Sequence, residues 1–245
     1  MNFILHFLIS FERFDYWFGR FRGKNHLYML FVLDTYNSIA NNFLSELRDR
    51  DRQVHKSVFR NNLQLIGQIL AIEISKKLTY KDIEVYTPNG VKRTSVLADD
   101  IVLICVLRAA IPFYEGFSSI FQNAESGFIG AARANEANHQ DDLEIDLDYI
   151  SSPDLNDKEI LLIDPMLATG KSFIKAMRGL KQFGTPRGMH LCSLISSPEG
   201  VENIQTECGK GVNIWTCSID ERLDENLFIV PGLGDAGDLA FGQKI

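Results

Sequence analysis

The feature that most restricts this chain is a series of short, unbroken apolar runs beyond residue 100. They are Ile101–Leu107 (IVLICVL), 127–132 (GFIGAA), 160–163 (ILLI), 190–195 (HLCSLI) and 212–217 (VNIWTC). A strand with one wet face alternates apolar and polar residues, whereas a run without alternation needs cover on both faces. Helical patterns over 112–121, 172–183 and 199–207 separate several of these runs. Strand, loop and helix in repetition specify an α/β fold built on a doubly wound, mostly parallel sheet. Residues 141–149 alternate as Leu143, Ile145, Leu147 and Tyr149, which predicts a half-exposed strand after a polar stretch over 134–142. Ligands of such sheets bind beyond the carboxyl ends of the strands, where strand order reverses. The loops after Leu107, Ala132, Ile163, Ile195 and Cys217 are therefore where a site is expected.

The first part of the chain reads differently. From Asn37 to about Leu78 the pattern is helical, with Ser38 as a cap before Phe43, Leu44 and Leu47. The run 48–52 (RDRDR) has the texture of a solvated charged face. Phe59, Leu63, Ile66, Ile69, Leu70 and Ile74 repeat at helical spacing. Thr87-Pro88-Asn89-Gly90 is a turn between two extended pieces.

Of 245 residues, 45% are hydrophobic and 23% charged, which is globular. The net charge of −7 argues against nucleic acid as the main partner, since a phosphate backbone calls for a positive field. It leaves room for a small anion in a local basic site. Cys105, Cys192, Cys208 and Cys217 form no C-x-x-C pair, and the five histidines lack ligand spacing, so no structural zinc is expected and a reducing cytoplasm is. No apolar stretch reaches the roughly 20 residues a bilayer needs, so no membrane span is expected. Residues 1–28 are rich in aromatics and lack the order of a secretory signal. They read as an atypical extension, with Met29 as an internal start, ahead of a single domain over 29–245. The other reading is an amphipathic helix that packs on the body or touches a membrane surface.

The strongest chemical signal follows the strand at 159–163. Asp164-Pro165-Met166-Leu167-Ala168-Thr169-Gly170-Lys171-Ser172 leads straight into a helical pattern. A strand, a sharp Gly turn and a helix start aim backbone N–H groups at one point, where the helix dipole favours an anion. Thr169 and Ser172 add hydroxyls, and Asp164 is an acceptor suited to sugar hydroxyls or a metal ion. The segment is not a nucleotide P-loop: that pattern needs Gly five residues before Gly170, and Pro165 stands there.

Segment 164–172 resembles the phosphoribosyl pyrophosphate (PRPP) loop of type I phosphoribosyltransferases, and its Asp-Pro form resembles the uracil phosphoribosyltransferases among them. Val106-Leu107-Arg108-Ala109-Ala110-Ile111-Pro112 is similar to that family's pyrophosphate loop. Gly130-Ala131-Ala132-Arg133 matches a strand end with an Arg before a loop, and Ser197-Pro198-Glu199-Gly200 its Pro-Glu-Gly turn. Segment 229–238 (IVPGLGDAGD) matches its uracil loop almost residue for residue. The likeness spans about residues 30–243.

The resemblance implies transfer of ribose 5-phosphate from PRPP to uracil, giving UMP and pyrophosphate. It implies one antiparallel strand and a small hood made of amino- and carboxy-terminal parts. It places PRPP on Arg108, Arg133 and 164–172 together with Asp235, and uracil on Ile229, Gly234, Asp235 and Ala236. Arg108, Arg133 and Asp235 are its candidate catalytic residues. Mg²⁺ would arrive mainly with PRPP rather than on protein ligands; allosteric GTP and a homodimer or larger homo-oligomer are also implied. Two positions depart from the pattern: Ala110 and Lys171 stand where the family usually has Gly, and Ala110 is expected to restrict its loop. A non-catalytic PRPP or nucleotide sensor on the same fold, or a transferase for another nucleobase, are the alternatives.

Overall fold

A computed structural model describes residues 29–133, 145–209 and 211–243. Along the chain these are β1 (Leu30–Val32), α1 (Ala40–Arg48), α2 (Arg50–Gln53), α3 (Lys56–Ser75), β2 (Tyr80–Thr87) and β3 (Gly90–Leu97). Then come β4 (Ile101–Leu107), α4 (Ile111–Ile120), β5 (Glu125–Arg133), β6 (Ile145–Ser151), β7 (Glu159–Ile163) and β8 (Met166–Leu167). The last are α5 (Lys171–Leu180), β9 (Gly188–Ser196), α6 (Pro198–Cys208), β10 (Val212–Ile219), β11 (Arg222–Leu223), β12 (Ile229–Val230) and α7 (Ala236–Phe241). The extension 1–28 and the whole of the polar stretch 134–142 lie outside the described residues.

The large sheet runs β1-β10-β9-β7-β4-β5-β6, with short β8 paired to β9. Every pairing is parallel except β5 with β6. The unbroken apolar runs are explained by two cores. In β4, Val102, Ile104 and Val106 face a cluster with Phe173, Ile174, Val201 and Ile204 of α5 and α6. Leu103 and Cys105 face the other, with Leu63, Leu70, Phe113 and Phe117 of α3 and α4. Each strand thus supplies side chains to both faces.

Strand order reverses between β4 and β7: the chain leaves β4 for β5 by α4 on one face, and β7 for β9 by α5 on the other. The carboxyl ends of β4 and β7 flank that reversal point, where sheets of this kind bind their ligands. At the start of the strands, a buried network fixes register. The Trp215 indole N–H donates to His190 Nδ1 (3.0 Å), which leaves Nε2–H to face Glu159 (3.1 Å). His190 and then Arg187 hold the Glu159 carboxyl below its ordinary range. His190 is a satisfied core residue.

Local details refine the sequence reading. Ser38 Oγ accepts the Ala40 N–H (3.3 Å), although helix α1 starts after Ile39. The TPNG turn joins β2 and β3 in an exposed hairpin of eight residues on each side.

Candidate active site

The loop from Asp164 to Ser172 is shaped mostly by its neighbour α6. Leu167 O accepts the Ser197 N–H (2.9 Å), Ala168 O accepts Ser197 Oγ–H (2.6 Å), and Thr169 O accepts Asn203 Nδ2–H (2.8 Å). Three successive carbonyls are thereby drawn toward α6. Gly170, at φ 77°, caps α5 in the left-handed region that glycine tolerates best. The first-turn N–H groups of α5 have no acceptor within their own helix and bear its positive dipole end. The Lys171 N–H donates to Thr169 Oγ1 (3.4 Å), and the arrangement as a whole suits an anion, with Thr169 and Ser172 beside it. Lys171 takes the first helical position, so a side chain there is accommodated.

Asp164 follows β7 directly and accepts the Met166 N–H through Oδ1 (3.1 Å). Burial pushes its carboxyl up to about 7, against the opposing effect of that hydrogen bond. In the folded, ligand-free protein Asp164 therefore binds a proton that the unfolded chain gives up near pH 4. Stability should fall as pH rises from about 4 through about 7, and no further above. Part of the residue stays exposed, and solvent there screens the effect. Asp164→Asn is expected to raise the melting temperature at pH 8, relative to pH 4.5, by on the order of 3 °C more than the wild type changes. Parallel melting curves for the two proteins across that range would contradict this.

Arg108 stands where β4 ends, beside the phosphate cradle, and the Leu107–Arg108 peptide is cis. Its Nη2 donates to Asp238 Oδ1 (2.9 Å) and Gly242 O (2.7 Å). Nε is buried and has no acceptor among the described residues. An orphaned buried donor on a guanidinium suits an incoming anion. Ala110, expected to strain this loop, sits at φ −75°, ψ −15°, a helical conformation any residue adopts. These backbone angles do not call for glycine.

The carboxy-terminal loop joins the same end of the sheet. Ile229 is buried in β12, Gly234 has φ 96°, and Ala236 is buried at the start of α7. Asp235 caps α7 by accepting the Asp238 N–H (2.9 Å). Through Arg108 and Asp238 this loop touches the loop after β4, whose strand neighbours β7 and its cradle. The sequence-selected segments therefore converge. Arg133 closes β5 at that end, but its side chain lies outside the described part.

The uracil phosphoribosyltransferase family model matches residues 35–243. The chain belongs to the uracil phosphoribosyltransferase family. It is 41% identical over 211 residues to the uracil phosphoribosyltransferase of Porphyromonas gingivalis, covering 85% of this chain and 96% of that one. It is 38% identical over 219 residues to that of Methanothermobacter thermautotrophicus, covering 88% and 96%. The solved structure of AQ2163 from Aquifex aeolicus superposes with a TM-score of 0.77 at 32% identity, covering 89% of this chain and all of that one.

Several residues that shape this family site were not singled out from sequence. Asn203 and Asp238 act through partners 34 and 130 positions away, respectively. Arg48 was assigned to a solvated face, yet it pairs with buried Asp220 (2.8 and 2.5 Å). The correction has a plain cause: a charge run carries no local sign of which member meets a distant partner.

Proposed function

We propose that residues 29–245 form one domain that moves the ribose 5-phosphate of PRPP to N1 of uracil, releasing pyrophosphate. The observation that carries this is the meeting, at one sheet end, of the α5 cradle, Arg108 and the 229–236 loop. The cradle takes the 5′-phosphate on backbone N–H groups of 168–172, and Asp164 accepts from the ribose hydroxyls. Arg108 and Arg133 take the departing pyrophosphate. Backbone groups of Ile229, Gly234 and Ala236 read the imide edge of uracil. Because the ribose carbon becomes cation-like, charge placement does the main work. Asp235 already spends one oxygen as a helix cap, so it serves as a positioned acceptor beside PRPP.

Among the described residues no group of three or more His, Cys, Asp or Glu gathers as a metal cage. A lone carboxylate such as Asp164 would suit a Mg²⁺ ion brought in with PRPP. Bound there, Mg²⁺ supplies positive charge to the leaving group.

The chain forms a homodimer or larger assembly; the exposed Tyr80, Val85, Tyr86 and Val91 of the β2–β3 hairpin support a subunit contact. Control by GTP rests on the family resemblance. No helix among the described residues is long and apolar enough to cross a membrane. Four unpaired cysteines accord with a cytoplasmic setting.

The test is direct. PRPP and Mg²⁺ are offered with each free base in turn, and pyrophosphate release is followed. Uracil alone should support turnover. Release with another base, or with none, would overturn the reading.

A further inference from the structure

One ion pair grips the middle of the base loop from a distance. Asp220 closes β10, and its side chain is 3% exposed. Arg48 ends α1, 172 positions earlier. Its Nη1 and Nη2 fork onto the two carboxylate oxygens at 2.8 and 2.5 Å. Both polar groups of Gly232 are held by this pair: its N–H donates to Asp220 Oδ2 (2.8 Å), and its carbonyl accepts Arg48 Nη1–H (2.9 Å). Gly232 has little freedom of its own, since φ is 64° and a Cβ there would lie 2.1 Å from Ile229 O. Ser218 Oγ also donates to Asp220 Oδ1 (3.4 Å), and the Asp220 N–H donates to Ser196 O (2.8 Å). The carboxylate is thus fixed by β9 and β10 while it holds the loop.

We infer that Arg48 and Asp220 are positioning residues for the nucleobase, acting through the Gly232 peptide. The inference deepens the proposed function and rests on it for the identity of the base. The base loop reads its ligand with backbone groups, so its precision is that of its backbone. The next residues, Gly234 to Ala236, supply that reading, and the clamp sits two positions before them. The phosphate cradle is held separately, by Ser197 and Asn203. The two binding events therefore depend on different anchors. A planar fork is needed to engage two oxygens and a carbonyl together, which a lysine ammonium cannot reproduce.

The decisive variant is Arg48→Lys, which keeps the charge beside Asp220. It should raise KM for uracil about tenfold, the scale of one charge-assisted hydrogen bond, with KM for PRPP within about twofold. In the ligand-free variant, amide exchange at 232–236 should quicken by about tenfold, with that of β4 and β7 unaltered. A purely structural role would move both KM values together, or lower only the active fraction. Either of those results, or unchanged exchange in the loop, overturns the inference. If Arg48→Lys folds poorly, Arg48→Gln carries the same two readouts. If the wild type releases no pyrophosphate with uracil, the functional reading fails while the exchange measurement still decides the clamp.

Discussion

Arg108→Ala is expected to lower kcat by about 10²–10³-fold while KM for uracil shifts by less than about threefold. The guanidinium lies at the end of the strand next to the one that leads into the α5 loop, with one buried N–H lacking an acceptor among the described residues. In the ligand-free protein Nη2 is engaged by Asp238 and the Gly242 carbonyl. That pairing orients the fork and leaves other donors to meet pyrophosphate. The charge on the leaving group grows as its bond to ribose breaks, so in the proposed role this contact should strengthen in the transition state. Steady-state kinetics with each substrate varied separately checks it. A wild-type kcat would remove Arg108 from the chemistry. A matching rise in uracil KM would point instead to a contact made through Asp238 and α7.

Gly200→Ala should disable the protein from the far side of the cradle. A Cβ at 200 would lie 2.1 Å from Ala168 O and 2.8 Å from Leu167 O. Neither atom is a flexible side chain that can swing aside. Ala168 O is tied to Ser197 Oγ, which also accepts the Gly200 N–H (2.9 Å). The clash must be relieved by shifting the loop, the start of α6, or both. The expected cost is about 2–4 kcal/mol of stability, or about 4–12 °C in Tm. A cradle displaced by about 1 Å should weaken productive PRPP binding by about 10²-fold. Tm and KM for PRPP report the two effects. Retention of both at wild-type values would show that this packing does not shape the phosphate site.

Much of this design is readable along the chain because its causes are local. The run at 101–107 lacks alternation because neighbouring side chains go to opposite cores, and the same holds at 159–163 and 212–219. The Gly170 turn announces itself through a strand before it and an amphipathic helix after it. The 229–238 loop is legible because backbone recognition demands glycines at fixed spacing. What escapes is pairing between distant segments. Arg48 looks like any member of RDRDR until β10 brings Asp220 to it. Asp238 looks like a turn residue until α7 lays it against Arg108. Ala110 looks costly only while its backbone angles are unknown.

Every strand of the large sheet, and the whole phosphate cradle, precede Asp220 in the chain. The 229–236 loop comes afterwards, steadied at Gly232 by Arg48 at the end of α1. The two loops are distant in sequence, yet the carboxy-terminal stretch also holds Arg108, through Asp238 and the Gly242 carbonyl. A change in the terminal stretch is therefore transmitted to both loops at once.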